Sequence, residues 1–92
     1  MPQFIIERDV PGALKLSGLE LSEISTRSCA AIRELGDGIM WIHSYVAGDK
    51  IYCVYEAENE ELIRKSSEMA GLPVTSITLV SNMISPADAE LG

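Results

Sequence analysis

Imidazole and thiol side chains are scarce in this chain. It has two cysteines, Cys29 and Cys53, and one histidine, His43. Two cysteines with no CxxC or CxxxC spacing are too few for a disulfide framework, and they suit a reducing compartment. Basic residues are few as well: seven Lys+Arg stand against fourteen Asp+Glu, a net charge of −7. Such a surface repels phosphate backbones and anionic headgroups, which speaks against nucleic-acid and membrane-surface roles. No stretch approaches the roughly 20 apolar residues of a membrane span. Met1-Pro2-Gln3-Phe4 lacks the basic start of a signal peptide. The chain therefore reads as cytoplasmic, with no nucleic acid and no membrane among its partners. Glycine never falls in GxGxxG or P-loop spacing, so phosphate binding through such a loop has no support.

What is present is an ordinary globular composition. The 92 residues are 47% hydrophobic and 23% charged, enough for one small core and too little for two domains. Residues 1–92 are expected to form a single domain with a frayed tail from Ala87 to Gly92.

The first apolar run, Gln3–Asp9, predicts a strand closed by Val10-Pro11-Gly12, with a loop through Lys15. Ser17 followed by Glu20 is a capping box and predicts a helix. Leu21, Ile24, Ser28, Ala31, Ile32 and Leu35 form its apolar stripe, and Gly36 stops it. Ile39–Ala47 and Lys50–Ala57 predict a hairpin joined by Gly48-Asp49, which suits a type II′ turn. Asn59-Glu60-Glu61 opens a second helix that presents Leu62, Ile63, Ser66, Met69 and Ala70 on one face and ends at Gly71-Leu72-Pro73. A last strand is expected over Ser76–Ile84. The order βαββαβ predicts an α+β, ferredoxin-like sandwich: a four-stranded antiparallel sheet with both helices on one face.

That architecture leaves the other sheet face uncovered. Pairing Ala47 with Lys50 sets Tyr45 opposite Tyr52, His43 opposite Val54 and Trp41 opposite Glu56, all six on one side. The other side carries Ile42, Ser44, Val46, Ile51, Cys53 and Tyr55. The second set is more aliphatic and is assigned to the core. The first then lines the open face, with Ile5 and Glu7 beside it. An aromatic surface of this kind marks a contact site. It suits a homodimer interface, or a dimer enclosing a cavity in which His43 with Glu7 or Glu56 binds a metal or small molecule. Cys29 and Cys53 are expected to pack as small hydrophobes, and Glu58, Glu60 and Glu61 to form a solvated helix start.

Several phrases stand in order along the chain: Phe4-Ile5-Ile6-Glu7-Arg8, Pro11-Gly12-Ala13, Ser28-Cys29, Arg33-Glu34-Leu35-Gly36, Trp41-Ile42-His43-Ser44-Tyr45-Val46, Lys50-Ile51-Tyr52-Cys53-Val54-Tyr55 and Asn59-Glu60-Glu61-Leu62-Ile63-Arg64. From about Phe4 to Ile84 the chain resembles a family of small bacterial nickel-binding or nickel-responsive ferredoxin-like proteins, formerly a domain of unknown function. The resemblance implies a dimeric α/β-barrel type of association and Ni²⁺ or a similar divalent ion as ligand, with His43 as the leading ligand residue. Family members often carry His-Ala in the second helix where this chain has Ser66-Ser67, so a metal site using that histidine would be absent here. Imidazole suits Ni²⁺, but one histidine binds weakly. Two copies of His43 across a dimer, with Glu7 or Glu56, form the minimum set.

The reading is a cytoplasmic homodimer that binds Ni²⁺ or another small ligand at its open face, with no commitment to catalysis. Two alternatives stand beside it. One is a cofactor-independent dimeric α/β-barrel enzyme, of monooxygenase or isomerase type, with His43 as general base among Trp41, Tyr45 and Tyr52. The other is a ligand-free interaction module.

Overall fold

The computed structural model describes residues 1–91. Strand β1 (Gln3–Asp9) leads through a short 3₁₀ helix (Ala13–Lys15) into helix α1 (Gly18–Leu35). Strands β2 (Ile39–Ala47) and β3 (Lys50–Ala57) follow, then helix α2 (Glu60–Ala70) and strand β4 (Ser76–Leu79). The sheet order is β2-β3-β1-β4, every neighbouring pair antiparallel. This is the ferredoxin-like α+β arrangement.

The local signals act as their chemistry dictates. Ser17 Oγ accepts from the Glu20 backbone N–H at 3.1 Å while Glu20 Oε1 accepts from the Ser17 N–H at 3.0 Å, closing the capping box. Asn59 Oδ1 accepts from the Leu62 N–H at 3.0 Å, and Gly71 ends α2 in the left-handed region at φ 70°. Gly48 has φ 60°, and among the described residues no non-glycine residue has positive φ. Asp49 therefore cannot complete a type I′ turn, which leaves type II′.

Alternation sorts the strands. Ile51, Cys53, Tyr55 and Ala57 of β3 are buried, as are Phe4, Ile6 and Arg8 of β1. These side chains pack with Ile63 of α2 and Ile32 and Leu35 of α1 in one core. The intervening residues, from Tyr52 to Glu56 on β3 and from Ile5 to Glu7 on β1, face away from the helices.

Four expectations are corrected. The pairing expected for the hairpin holds from Ala47–Lys50 to His43–Val54, but a β-bulge at Ile42 then shifts it, so Trp41 lies opposite Tyr55 and Met40 opposite Glu56. One extra residue reverses the face of everything beyond it. Trp41 accordingly leaves the open face for the core side and Met40 takes its place. Ile42, assigned to the core, is exposed. Strand β4 stops at Leu79 rather than Ile84, because its partner segment of β1 runs only from Glu7 back to Phe4; the Val80 N–H still reaches the Gln3 carbonyl at 2.8 Å, and no strand remains beyond it. On α2, Ile63, Ser66 and Ala70 of the expected stripe are buried, but Met69 is exposed and Ser67 is buried with them. Cys29 is exposed on α1 rather than packed. From Pro86 to Leu91 the chain turns through a 3₁₀ helix, with Asp88 Oδ2 accepting from the Ser85 N–H at 2.6 Å; Gly92 lies outside the described residues.

The capping box makes a pH-dependent contribution. The Glu20 pKa is lowered from its ordinary 4.5, first by the backbone N–H of Ser17 and then by its hydroxyl. Its stabilisation is complete above the unfolded-state value and is lost as pH falls through the folded one. Glu20→Gln keeps an acceptor without the titration, so the fall in urea-measured stability between about pH 5 and 3 becomes shallower. An unchanged acid slope would show that the box contributes none of it.

Candidate functional site

The uncovered face presents Met40, His43 and Tyr45 from β2, Tyr52, Val54 and Glu56 from β3, and Ile5 and Glu7 from β1. The register arranges them in rows: His43, Val54 and Ile5 in one, Tyr45, Tyr52 and Glu7 in the next. His43 and Tyr45, two residues apart on the same strand, meet edge to face with ring centroids 5.1 Å apart. Both are exposed, Tyr45 at 61%. Met40 and Ile5 are also large apolar side chains left in water.

The three proposed ligand residues do not converge within one chain. Glu56 lies one strand across and two residues along from His43, about 8 Å between Cα atoms by sheet geometry. Glu7 lies two strands across and two residues along in the opposite direction, about 12 Å away. Glu7 is also engaged: Lys50 Nζ sits 2.9 Å from its Oε2 and 3.1 Å from Asp9 Oδ1. These two carboxylates raise the Lys50 pKa above its ordinary value, Glu7 more than Asp9. Among the described residues no three His, Cys, Asp or Glu side chains are grouped to hold a metal ion. The donors of a single chain do not fit a nickel site.

The helix-covered side holds the polar chemistry that the sequence reading passed over. Arg8 is completely buried. Its Nε donates to Cys53 Sγ at 3.4 Å, and its Nη1 donates to Ser67 Oγ at 3.0 Å and to the Pro73 carbonyl at 2.9 Å. One guanidinium thus ties β1 to β3, to α2 and to the loop before β4. The signal was legible: Phe4, Ile6 and Arg8 alternate on the face assigned to the core. Beside Arg8, between α1 and strands β2 and β3, lies a cavity of about 170 Å³. Trp41 forms part of its wall, and its Nε1 donates to Ser44 Oγ at 2.9 Å across the bulge. Tyr55 lines it too, and burial raises the phenol pKa, opposed by the nearby positive charge of Arg8.

With fold and faces placed, comparison with known proteins decides the family. Residues 4–80 match the family model described as nickel responsive protein, SCO4226-like. The chain belongs to this SCO4226-like family. The crystal structure of SCO4226 from Streptomyces coelicolor A3(2) superposes with a TM-score of 0.72 at 20% sequence identity, covering 89% of this chain and 99% of that one. At that identity the likeness shows the shared fold. No curated protein matches the chain. Among the described residues of this SCO4226-like chain, no helix is long and apolar enough to cross a membrane.

The thiols separate the two environments. Cys29 is free and exposed, and Cys53 is free and buried against the Arg8 guanidinium. One thiol per chain should react rapidly with a thiol reagent in the native state and the second only on unfolding. Rapid modification of Cys53 in the folded protein would contradict the placement of the core.

Proposed function

We propose that this chain is a cytoplasmic homodimer that closes its uncovered sheet face against a second copy and binds Ni²⁺ or a similar divalent ion between the two. The observation that carries the reading is the exposed His43–Tyr45 pair on that face, in a chain of a family described as nickel responsive. One histidine per chain gives a weak site, whereas symmetric association supplies two imidazoles. Glu56 of either copy is the nearer carboxylate donor; Glu7 serves only when released from Lys50. Tyr45 and Tyr52, with Met40 and Ile5, supply the apolar area of the interface, which should bury at least about 1,200 Å² in total. Two free thiols suit the reducing cytoplasm. When bound, nickel would supply a cross-link between copies and so a metal-dependent change in assembly. The cavity beside Arg8 lies on the other side of the sheet from His43, so it offers no pocket to the general-base alternative.

Light scattering with metal analysis on protein lacking a histidine tag tests this. The expected result is a dimer binding nickel at no more than one ion per two chains, weakened in acid because protons compete for imidazole. His43→Ala should abolish that binding and leave the dimer intact, and Glu56→Gln should weaken it. A concentration-independent 10 kDa species would remove the dimer. Equal nickel binding by His43→Ala would assign the metal to scattered surface carboxylates.

A further inference from the structure

Arg8 is a buried cation without a counter-ion: among the described residues none of the ion pairs involves it. Its Nη2 is sealed from solvent and has no hydrogen-bond partner, the one buried side-chain polar atom of the described residues in that condition. An uncompensated charge in a low-dielectric interior is costly, and an anion brought close to it offsets part of that cost. The adjoining cavity supplies room for one. Its volume, about 170 Å³, compares with the roughly 150 Å³ of an engineered apolar cavity that takes up benzene. Leu21, Ile24 and Val46 make part of it apolar, while Tyr55 and Ser28 bring hydroxyls to the same wall as Arg8. Burial keeps the Tyr55 phenol protonated and able to donate.

We propose that this cavity binds a small monocarboxylate with an apolar body, its carboxylate on the Tyr55 hydroxyl and drawn by the uncompensated Arg8 charge sealed behind that wall, and its body among Leu21, Ile24 and Val46. One uncompensated guanidinium charge and no second cation suit a single negative charge; a phosphate dianion calls for more positive partners. The apolar lining selects against small hydrated anions, whose desolvation nothing there would offset. A divalent cation is repelled by Arg8. The site lies on the opposite side of the sheet from His43, so it stands or falls independently of the metal reading.

The test titrates the chain with benzoate and isovalerate, with benzyl alcohol as the uncharged counterpart of benzoate and inorganic phosphate as a control anion. Trp41 fluorescence and thermal shift are the readouts. Benzoate or isovalerate should bind saturably, benzoate at least tenfold tighter than benzyl alcohol, and phosphate should not compete. Arg8→Met should erase the preference for the charged ligand. Should that variant fail to fold, Ile24→Trp, which fills the cavity from α1, decides: it should abolish carboxylate binding in a folded protein. Absence of saturable binding by both carboxylates, equal affinity for benzoate and benzyl alcohol, or binding that survives Ile24→Trp would each overturn the assignment.

Discussion

A guanidinium held inside a 10.0 kDa chain is the constraint to which the other interior features answer. Arg8 occupies a core position of β1, between strands that bury only apolar side chains or Cys53 at neighbouring sites. Desolvating that charge is unfavourable by itself, and the structure offsets part of the cost with three acceptors drawn from three different elements. This accounts for two oddities of the core. Serine stands at the fully buried position 67 of α2 because a hydroxyl is needed there, and the chain after α2 presents the Pro73 carbonyl inward. The same bonds set the distance of α2 from the sheet, so the fold and the polar interior are one construction.

The bulge at Ile42 divides the sheet's two chemistries. Without it, Ile39 and Trp41 would share the exposed side with His43. With it, Ile39 is buried and Trp41 becomes a wall of the cavity. The open face is left with histidine, two tyrosines and carboxylates, a set suited to cations and to self-association. The covered side is left with a buried cation beside an apolar cavity. Opposite charge preferences on opposite faces would let one four-stranded sheet serve both proposed ligands without competition between them.

The element order was legible because its punctuation is local. The Ser17–Glu20 box, the Asn59 cap and Gly48-Asp49 each act over three or four residues, and the structure uses all of them. What the sequence did not yield depends on partners distant in the chain. The end of β4 is decided by where β1 starts, which no local pattern at Val80 records. The bulge carries a faint signal: four consecutive apolar residues, Ile39 to Ile42, cannot satisfy strict alternation on a one-sided sheet, yet the pattern does not say where the extra residue falls. Arg8 stands in plain alternation with Phe4 and Ile6, but arginine is rarely buried, so alternation alone does not assign it to the core. Of the open face, His43, Tyr45, Tyr52, Glu7 and Glu56 share one side as the alternation predicts. Their failure to converge follows from the length of two strand spacings, a quantity that a list of residues on one face does not contain.

The burial of Arg8 is open to direct measurement by the nitrogen-15 and proton resonances of its side chain. A guanidinium sealed in the core, with Nε bonded to Cys53 Sγ, should show a resolved Nε–H signal that exchanges with solvent far more slowly than that of an exposed arginine such as Arg64, and that shifts when Cys53→Ser changes its acceptor. An Arg8 Nε–H exchanging at the rate of a free arginine side chain would place the charge in water and contradict the account of the core.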